Sequence, residues 1–334
     1  MGVYQHQSIE IHDRSSIGEA RRVSTRLAAR CGLDTHDQGR VPLVVTELAT
    51  NLLSHARRGE MLIRMLVEEG GIEVLAIDHG PGIADLAKCL ADGYSKRGTR
   101  GCGLGAVQRQ STEFDIYSTE PAGTIVLSRI LPAKRPRSHR VSAAVCVVAP
   151  GESECGDGWQ VRHREGRLAA VVIDGLGHGP LAAAATGEAL AVFSRDWFRT
   201  PVDFLAAAHE AMRSTRGAAV AIAHIDVALH QLHYAGVGNI AARIVSPGIA
   251  KQQPLISHAG IVGGEFRKLQ QFDYKWEDGD LLVMHSDGLS ERWKVSDYPG
   301  LAMRDVAVTG GALYRDAKRG RDDATVLVTR LGRS

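Results

Sequence analysis

The stretch Asp174-Gly175-Leu176-Gly177-His178-Gly179 is the most informative part of this 334-residue chain. It follows an apolar run at 168–173, which predicts a buried strand that ends in a tight glycine turn. A carboxylate at a strand end, followed by glycines that let the backbone approach a ligand, suits a hard cation held by carboxylate and carbonyl oxygens. Asp-Gly is also the commonest ordinary turn, so the motif alone leaves a plain turn equally open.

Three further acidic turns favour the metal-binding interpretation. Each adjoins an apolar run that can end or begin a strand of one sheet system. Their aspartates are Asp157, Asp287 and the pair Asp322-Asp323. Two carboxylates about 4 Å apart repel by roughly 4 kcal/mol at an effective dielectric near 20, so a cluster of them must take up protons or cations. Oxygen-only ligands favour Mg²⁺ or Mn²⁺ over zinc.

With these four motifs, residues 141–330 resemble the PPM metal-dependent serine/threonine protein phosphatases, specifically the SpoIIE/RsbX branch. The resemblance implies an α-β-β-α sandwich whose catalytic aspartates hold two Mn²⁺ or Mg²⁺ ions. The implied ligands are Asp157, Asp174, the Gly175 carbonyl, Asp287, Asp322 and, in an outer or weaker position, Asp323. His178 or His285 could assist the leaving alkoxide, or both could simply pack beside the site.

A different set of motifs occupies the N-terminal part of the chain. On a helix predicted at 37–55, Glu47 and Asn51 are four residues apart and therefore lie on one face. A strand predicted at 72–77 ends in an Asp-x-Gly-x-Gly turn, and a glycine-rich stretch at 98–106 opens another helix. Glycines at a helix start expose backbone N–H groups to a phosphate. Taken singly, the Glu47/Asn51 pair is more typical of a solvated polar helix face, and the glycine-rich stretch is as typical of a flexible loop.

Together they resemble the N, G1 and G2 boxes of the GHKL (Bergerat-fold) ATP-binding superfamily, most closely its RsbT-like serine kinase branch. The resemblance implies an α/β sandwich that binds ATP with Mg²⁺. In it Asn51 would coordinate Mg²⁺, Glu47 would orient or deprotonate the attacking group, and Asp78 would accept a hydrogen bond from the adenine amino group. Further nucleotide contacts are expected from Gly80, Gly82, Gly101, Gly103, Gly105 and Thr124, with a lid at 86–100.

The two resemblances predict a two-domain α/β (α+β) protein. We assign the ATP-binding domain to 1–131, a basic, proline-containing linker to 132–140 and the phosphatase domain to 141–334. Beyond the motifs, helices are predicted at 16–30, 178–193, 202–213 and 303–315, and strands at 4–11, 218–226, 229–235, 240–245 and 281–285. Pro42 suggests that the regular part of the 37–55 helix begins near that residue.

Amino-acid composition limits the classes of partner and the cellular compartment that the sequence favours. A net charge of +2 and 5% aromatic residues do not favour nucleic-acid binding. The five cysteines are odd in number and form no CxxC pair, which fits reduced thiols in the cytoplasm. We find no signal peptide, membrane-length apolar span or lipidation motif, so no membrane partner is expected. The oligomeric state stays open.

The sequence therefore predicts a metal-dependent protein serine/threonine phosphatase with an ATP-binding domain. The resemblance implies a phosphoprotein substrate of the STAS-domain or stressosome type, as in bacterial partner-switching signalling. One alternative is a bifunctional protein whose N-terminal domain phosphorylates the same partner. Another is a binding module that sequesters a regulator without turnover. The sequence leaves open whether ATP is hydrolysed, transferred or only bound, and whether the metal is Mn²⁺ or Mg²⁺.

Overall fold

The computed structural model describes residues 5–56, 59–90, 103–132, 141–247 and 251–332. It divides the chain into two compact units, His6–His139 and Arg140–Ser334, and the second unit also includes Met1–Gln5. Gly101, residues 91–100 of the predicted lid and residues 133–140 of the predicted linker lie outside the described residues. Within the described part of the chain, no helix combines the length and the apolar character that crossing a membrane requires.

The N-terminal unit is built on one antiparallel sheet with strand order β1-β2-β3-β5-β4. Its elements are β1 (Gln7–Ile11), α1 (Arg14–Ala28), α2 (Thr35–His55), β2 (Gly59–Leu66), β3 (Gly71–Asp78), α3 (Leu86–Leu90), α4 (Leu104–Gln110), β4 (Glu113–Thr119) and β5 (Gly123–Ile130). The helices α1 and α2 cover one face of the sheet through a core that includes Val45, Leu48 and Ile63. The predicted α/β sandwich is confirmed.

Helix α1 begins before the predicted Ser16. Asp13 is the N-cap, since the Ser16 N–H donates to Asp13 Oδ1 at 2.8 Å and the Asp13 N–H donates to Ser16 Oγ at 3.3 Å. This reciprocal pair is a capping box in which Ser16 occupies the third helical position. The predicted start was wrong because the aspartate three residues upstream satisfies the free N–H groups first.

Helix α2 also begins earlier than predicted. The Asp37 N–H donates to Asp34 Oδ1 at 2.8 Å, so the helix starts at Thr35 and contains Pro42. A proline inside a helix removes one backbone hydrogen bond. The cap at Asp34 and the buried face of the helix outweigh that loss.

The second face of the N-terminal sheet carries a buried charge network around Glu73. The Glu73 carboxylate accepts hydrogen bonds from Arg64 Nε and Arg129 Nε, both at 2.6 Å, and Arg129 also pairs with Glu113 at 2.9 Å. His6 Nε2 lies 3.6 Å from the Glu73 carboxylate. Burial alone would raise the pKa of Glu73, but the two guanidinium groups outweigh it and hold that pKa well below its usual value.

The C-terminal unit packs two five-stranded antiparallel sheets face to face, ordered β13-β10-β9-β8-β7 and β12-β11-β14-β15-β6. Its elements are β6 (Ser142–Val147), β7 (Asp157–Arg164), β8 (Arg167–Gly175), α5 (Pro180–Arg195), α6 (Pro201–Met212), β9 (Ala218–Asp226), β10 (Gln231–Val237), β11 (Ala241–Ser246), β12 (Lys251–Pro254), β13 (Phe272–Lys275), β14 (Leu281–His285), α7 (Val306–Ala317) and β15 (Ala324–Arg330), with short 3₁₀ helices at Val295–Asp297 and Leu301–Met303.

Three layers of contact hold this unit together. Apolar residues from both sheets, among them Ala170, Leu282 and Leu327, form the core between the sheets. Helices α5 and α6 pack on the outer face of the first sheet through Phe193 and Phe204. Helix α7 packs on the outer face of the second sheet, against β6 and β15. The predicted α-β-β-α sandwich is confirmed.

Candidate active site

The register of β7 and β8 places Asp157 directly opposite Asp174. Asp157 is buried at 6% exposure. Burial, and next the charge of Asp174, raise the pKa of Asp157 well above its usual range. Burial and the charges of Asp287 and Asp322 raise the pKa of Asp174 to about 7. A cluster with these shifts resists full ionisation unless positive charge enters it.

Asp287 and Asp322 reach this cluster from the second sheet, where they follow β14 and precede β15 respectively. The Asp287 backbone N–H faces the Asp174 carboxylate and lowers its pKa against the larger effects that raise it, and Asn239 Nδ2 donates to Asp287 Oδ2 at 2.7 Å. The Ser286 hydroxyl donates to Asp157 Oδ2 at 2.6 Å. The predicted aspartates at 157, 174, 287 and 322 are thus brought together where the two sheets meet.

Asp323 makes a different set of contacts. Its Oδ1 accepts the Ala149 N–H at 2.7 Å, its Oδ2 accepts the Gly156 N–H at 2.8 Å, and the residue is 3% exposed. Burial is the main cause of its raised pKa. The side chain therefore ties the loop before β7 to the turn before β15. An asparagine here would offer one acceptor oxygen where the backbone presents two donors.

The glycines of these turns permit close contact with neighbouring backbone. A methyl group added to Gly175 would lie 2.5 Å from the Ala182 carbonyl oxygen, and one added to Gly288 would lie 1.9 Å from the Asp323 carbonyl oxygen. Side chains at these two positions are excluded by neighbouring backbone. The interpretation that such glycines serve close approach of a ligand is therefore incomplete, because the backbone of helix α5 at Gly175, and of the turn before β15 at Gly288, already fills the space.

The donors at this site are carboxylate and carbonyl oxygens, a set that fits Mg²⁺ or Mn²⁺. Among the described residues, three ligand atoms of His, Cys, Asp or Glu lie within 4.8 Å of one another only at Asp34, His36 and Asp37. In this structure the carboxylates of the candidate site therefore do not bring three ligand atoms within that distance of one another. The group at Asp34 is explained by the α2 cap and by the 2.6 Å pair between Asp37 and Arg40.

The two predicted histidines differ in environment. His285 is buried, its Nδ1–H donates to the Ser286 carbonyl at 2.9 Å, and its Nε2 accepts from Trp293 Nε1 at 3.3 Å. Burial lowers the pKa of His285, and the acceptor role of its Nε2 towards Trp293 is that of a neutral ring. His178 is exposed, and its Nδ1 lies 2.6 Å from Glu152 Oε1.

In the N-terminal unit, Asp78 ends β3 and organises the predicted adenine site. Its Oδ1 accepts the Gly80 N–H at 2.6 Å and the Thr124 N–H at 3.1 Å. The Thr124 hydroxyl lies 2.9 Å from the Ser118 hydroxyl, which in turn accepts the Ile83 N–H at 2.8 Å. Asp78, Gly80 and Thr124 are thus brought together, as the sequence predicts.

The predicted glycine positions differ in what they do. Gly82 has φ of +79°, and a methyl group there would lie 2.5 Å from the Thr119 carbonyl oxygen, so only glycine fits this turn. Gly103 precedes α4, and a methyl group on it would lie 3.9 Å from the Asn51 amide. Gly105 is the buried second residue of α4, so its backbone N–H belongs to the first helical turn. Glu47 and Asn51 are half-buried on α2.

Comparison with known proteins decides the family. Residues 164–332 match the family model for stage II sporulation protein E (SpoIIE). The chain belongs to the SpoIIE family. Residues 12–130 match the model for the histidine kinase-like ATPase domain. Both resemblances seen in the sequence are confirmed, and the chain combines a PPM phosphatase domain with an RsbT-like ATPase domain.

Two relatives come from Bacillus subtilis (strain 168). Serine/threonine-protein kinase RsbT is 35% identical over 118 residues, which is 35% of this chain and 89% of RsbT. Phosphoserine phosphatase RsbX is 28% identical over 140 residues, which is 42% of this chain and 70% of RsbX. The crystal structure of RsbX in complex with magnesium has a TM-score of 0.51 at 22% identity and covers 59% of this chain and 98% of RsbX, which supports the fold.

Three residues of this SpoIIE-family protein had no predicted role and take part in the sites. Ser286 and Asn239 bond to the aspartates at 157 and 287, and Ser118 bonds to Thr124. Ser286 was visible as a neighbour of Asp287, but its target lies 129 residues away in sequence. Ser118 could have been found only from the β4–β5 register, in which it faces Thr124.

Proposed function

We propose that the C-terminal domain hydrolyses phosphoserine or phosphothreonine in a partner protein and depends on two Mg²⁺ or Mn²⁺ ions. The observation that carries this proposal is the buried Asp157–Asp174 pair, joined by Asp287 and Asp322 from the other sheet. Their raised pKa values indicate a cluster that needs cations at neutral pH. The similarity to phosphoserine phosphatase RsbX supports the substrate chemistry.

The chain's own side chains would hold and orient this site. The expected ligands are Asp157, Asp174, the Gly175 carbonyl, Asp287 and Asp322. When bound, the divalent cations would supply an activated water and would neutralise phosphate charge during in-line displacement. Ser286 keeps one Asp157 oxygen engaged, and Asn239 does the same for Asp287. Asp323 fixes the two loops that carry these residues, since it holds the Ala149 and Gly156 N–H groups.

The test is hydrolysis of p-nitrophenyl phosphate and of a phosphoserine peptide with Mg²⁺ or Mn²⁺, measured after removal of endogenous metal. Asp174→Asn and Asp322→Asn remove ligand charge and should lower turnover at least about 100-fold. Asp278→Asn, at an exposed position away from the motifs, is the matched control. Near wild-type turnover of either ligand variant would refute the proposed metal site.

We propose that the N-terminal domain binds ATP with Mg²⁺. Asp78 and Thr124 would receive the adenine, Asn51 would coordinate Mg²⁺ and Glu47 would orient the attacking group. Gly80, Gly82 and Gly103 would line the nucleotide, with Gly101 beyond the described residues. Asn51→Ala should abolish ATP binding in calorimetry and leave phosphatase activity unchanged. Thr50→Ala, the exposed neighbour on α2, is the control, and unchanged ATP affinity in Asn51→Ala would contradict the assignment.

The partner we propose is a phosphorylated STAS-domain or stressosome-type regulator in the cytoplasm. The similarity to serine/threonine-protein kinase RsbT also favours a second candidate, in which the N-terminal domain phosphorylates the protein that the C-terminal domain dephosphorylates. Each separately expressed domain, 1–131 and 141–334, incubated with the partner and labelled ATP would distinguish transfer from binding. Metal-dependent release of phosphate from the labelled partner would exclude a purely sequestering module.

A further inference from the structure

The antiparallel register of β8 and β9 continues past the ends of both strands. Gly175 pairs with Ala218, and the Leu176 N–H donates to the Gly217 carbonyl at 3.0 Å. One further step along this register places Arg216 opposite Gly177. The contact is present, because a methyl group added at Gly177 would lie 3.1 Å from Arg216 Nη1. The guanidinium group therefore lies against the turn that begins with Asp174 and Gly175.

Arg216 has no acidic partner among the residues that the structure describes. It is exposed, and within the described part of the chain it forms no hydrogen bond or ion pair. Arg213, three residues upstream, pairs with Glu210 at 3.5 Å, and Arg167 at the far end of β8 pairs with Asp226 at 2.9 Å. The guanidinium N–H donors of Arg216 are thus available to a ligand. The next residue, Gly217, is held to the Asp174–Gly175 turn by its hydrogen bond with Leu176.

The negative charge of the site favours a cationic side chain at its edge. A phosphate ester carries negative charge, and it must approach a cluster of four carboxylates. A fixed cation at the rim attracts the phosphate and offsets this repulsion. The planar guanidinium is suited to bind two phosphate oxygens at once, and its charge does not depend on pH in the working range.

We propose that Arg216 binds the phosphoryl oxygens of the substrate at the edge of the acidic site. The inference rests on the proposed phosphatase function and adds a substrate-binding residue outside the acidic motifs. Arg216 contributes to affinity for phosphate, whereas the aspartates contribute to affinity for metal. Loss of Arg216 therefore weakens substrate and phosphate binding and leaves metal binding as it was.

The experiment uses the full-length protein at saturating Mg²⁺. Four variants are compared: Arg216→Ala, Arg216→Lys, Arg213→Ala and Arg321→Ala. Arg213→Ala removes an exposed arginine of the same segment, and Arg321→Ala removes one beside Asp322. Phosphate affinity is measured as the Kd of inorganic phosphate by calorimetry and as its inhibition constant against hydrolysis of p-nitrophenyl phosphate. Peptide kinetics give KM and kcat for a phosphoserine peptide. The Mg²⁺ concentration for half-maximal activation reports the metal requirement, and the Tm reports stability.

Arg216→Ala should raise the Kd and inhibition constant of phosphate, and the KM of the peptide, by about 10-fold or more, with the Mg²⁺ requirement and Tm unchanged. Arg216→Lys should recover part of the affinity, because it keeps the charge and loses the fork. Arg213→Ala should match the wild type.

Three results would overturn the inference. The first is unchanged phosphate affinity in Arg216→Ala. The second is a loss of phosphate affinity accompanied by an equal change in the Mg²⁺ requirement, which would mean that Arg216 only shapes the metal-binding turn. The third is a loss confined to Arg321→Ala. A wild type that hydrolyses neither substrate would defeat the proposed function instead, and the calorimetric comparison would still decide whether Arg216 binds phosphate.

Discussion

Ser286 donates its hydroxyl hydrogen to Asp157 Oδ2 at 2.6 Å and so joins the two sheets of the phosphatase domain at the acidic site. Asp157 opens β7 in the first sheet, and Ser286 follows β14 in the second. The same Ser286 oxygen accepts the Thr325 N–H at 3.0 Å. One buried hydroxyl therefore sets the position of a proposed metal ligand relative to the turn that contains Asp287.

Ser286→Ala should lower phosphatase turnover about 10-fold and cost about 1–3 kcal/mol of unfolding free energy, since it leaves the Thr325 N–H without its acceptor. Ser296→Ala, on the exposed 3₁₀ helix of the same domain, is the control and should change neither quantity. Metal-dependent kinetics and urea unfolding measure both effects. Wild-type values for Ser286→Ala in both assays would show that this hydrogen bond has no role.

The stability of the metal-free protein should fall as pH rises from about 4 to 7. The folded-state pKa of Asp174 is about 7 against an ordinary value of 3.8, so the folded state holds its proton more tightly than the unfolded state. The stabilisation is complete below pH 4 and is lost as pH passes 7. At 1.36 kcal/mol per pKa unit the change is at most about 4 kcal/mol, and solvent screening of this partly exposed group reduces it.

Unfolding of chelated protein across this pH range, compared with Asp174→Asn, isolates the effect of that one carboxyl group. The variant should show a shallower decline. Addition of Mg²⁺ should remove the decline in the wild type, because the cation favours the ionised carboxylates. Parallel pH profiles for the wild type and Asp174→Asn would contradict the assigned pKa shift.

Two glycine substitutions should have opposite effects on stability. Gly288→Ala places a methyl group 1.9 Å from the Asp323 carbonyl oxygen, so the turn must move and both stability and activity should be lost. Gly187→Ala lies on the exposed face of α5 with no atom within 4 Å, and it should stabilise the protein by about 0.5–1 kcal/mol. Thermal unfolding of the two variants is the measurement. A Gly288→Ala protein with wild-type Tm would refute the proposed crowding.

Glu73→Gln should be among the most damaging single changes in the ATP-binding domain. It leaves the buried guanidinium groups of Arg64 and Arg129 without their shared carboxylate, and breaking a buried ion pair costs about 3–5 kcal/mol. Glu10→Gln, at an exposed position on β1 of the same sheet, should have little effect. Chemical unfolding compares the two, and equal stabilities would show that the network contributes little.

Much of the site was predictable because its aspartates lie at the ends of apolar strands. A strand end can be located from local periodicity, and Asp174 and Asp287 follow the apolar runs that became β8 and β14. The same reasoning located Asp78 at the end of β3. What local sequence could not supply is the register, which decides that Asp157 faces Asp174.

The elements that escaped prediction depend on partners distant in sequence. Strand β2 was not predicted, because Arg64 interrupts its apolar pattern, and that buried arginine donates from Nε to the Glu73 carboxylate. The start of α1 was misplaced because Ser16 looks like a cap, and Asp13 upstream fills that role. Burial of Asp323 could not be foreseen either. Its two partners, Ala149 and Gly156, lie in the loop between β6 and β7, 174 and 167 residues earlier in the chain.

The pairing of β15 with β6 has a consequence for synthesis on the ribosome. These strands are the last and the first of the phosphatase domain, and Thr329 Oγ1 donates to Ser142 Oγ at 3.1 Å across 187 residues. Until β15 has left the exit tunnel, the nascent domain has an open strand edge and lacks Asp322, so it can neither close its second sheet nor complete the acidic site. Contacts this distant in sequence form late and slowly. Catalytic competence therefore arrives only with the final strand, and a chain that stalls before it would expose an edge prone to aggregation.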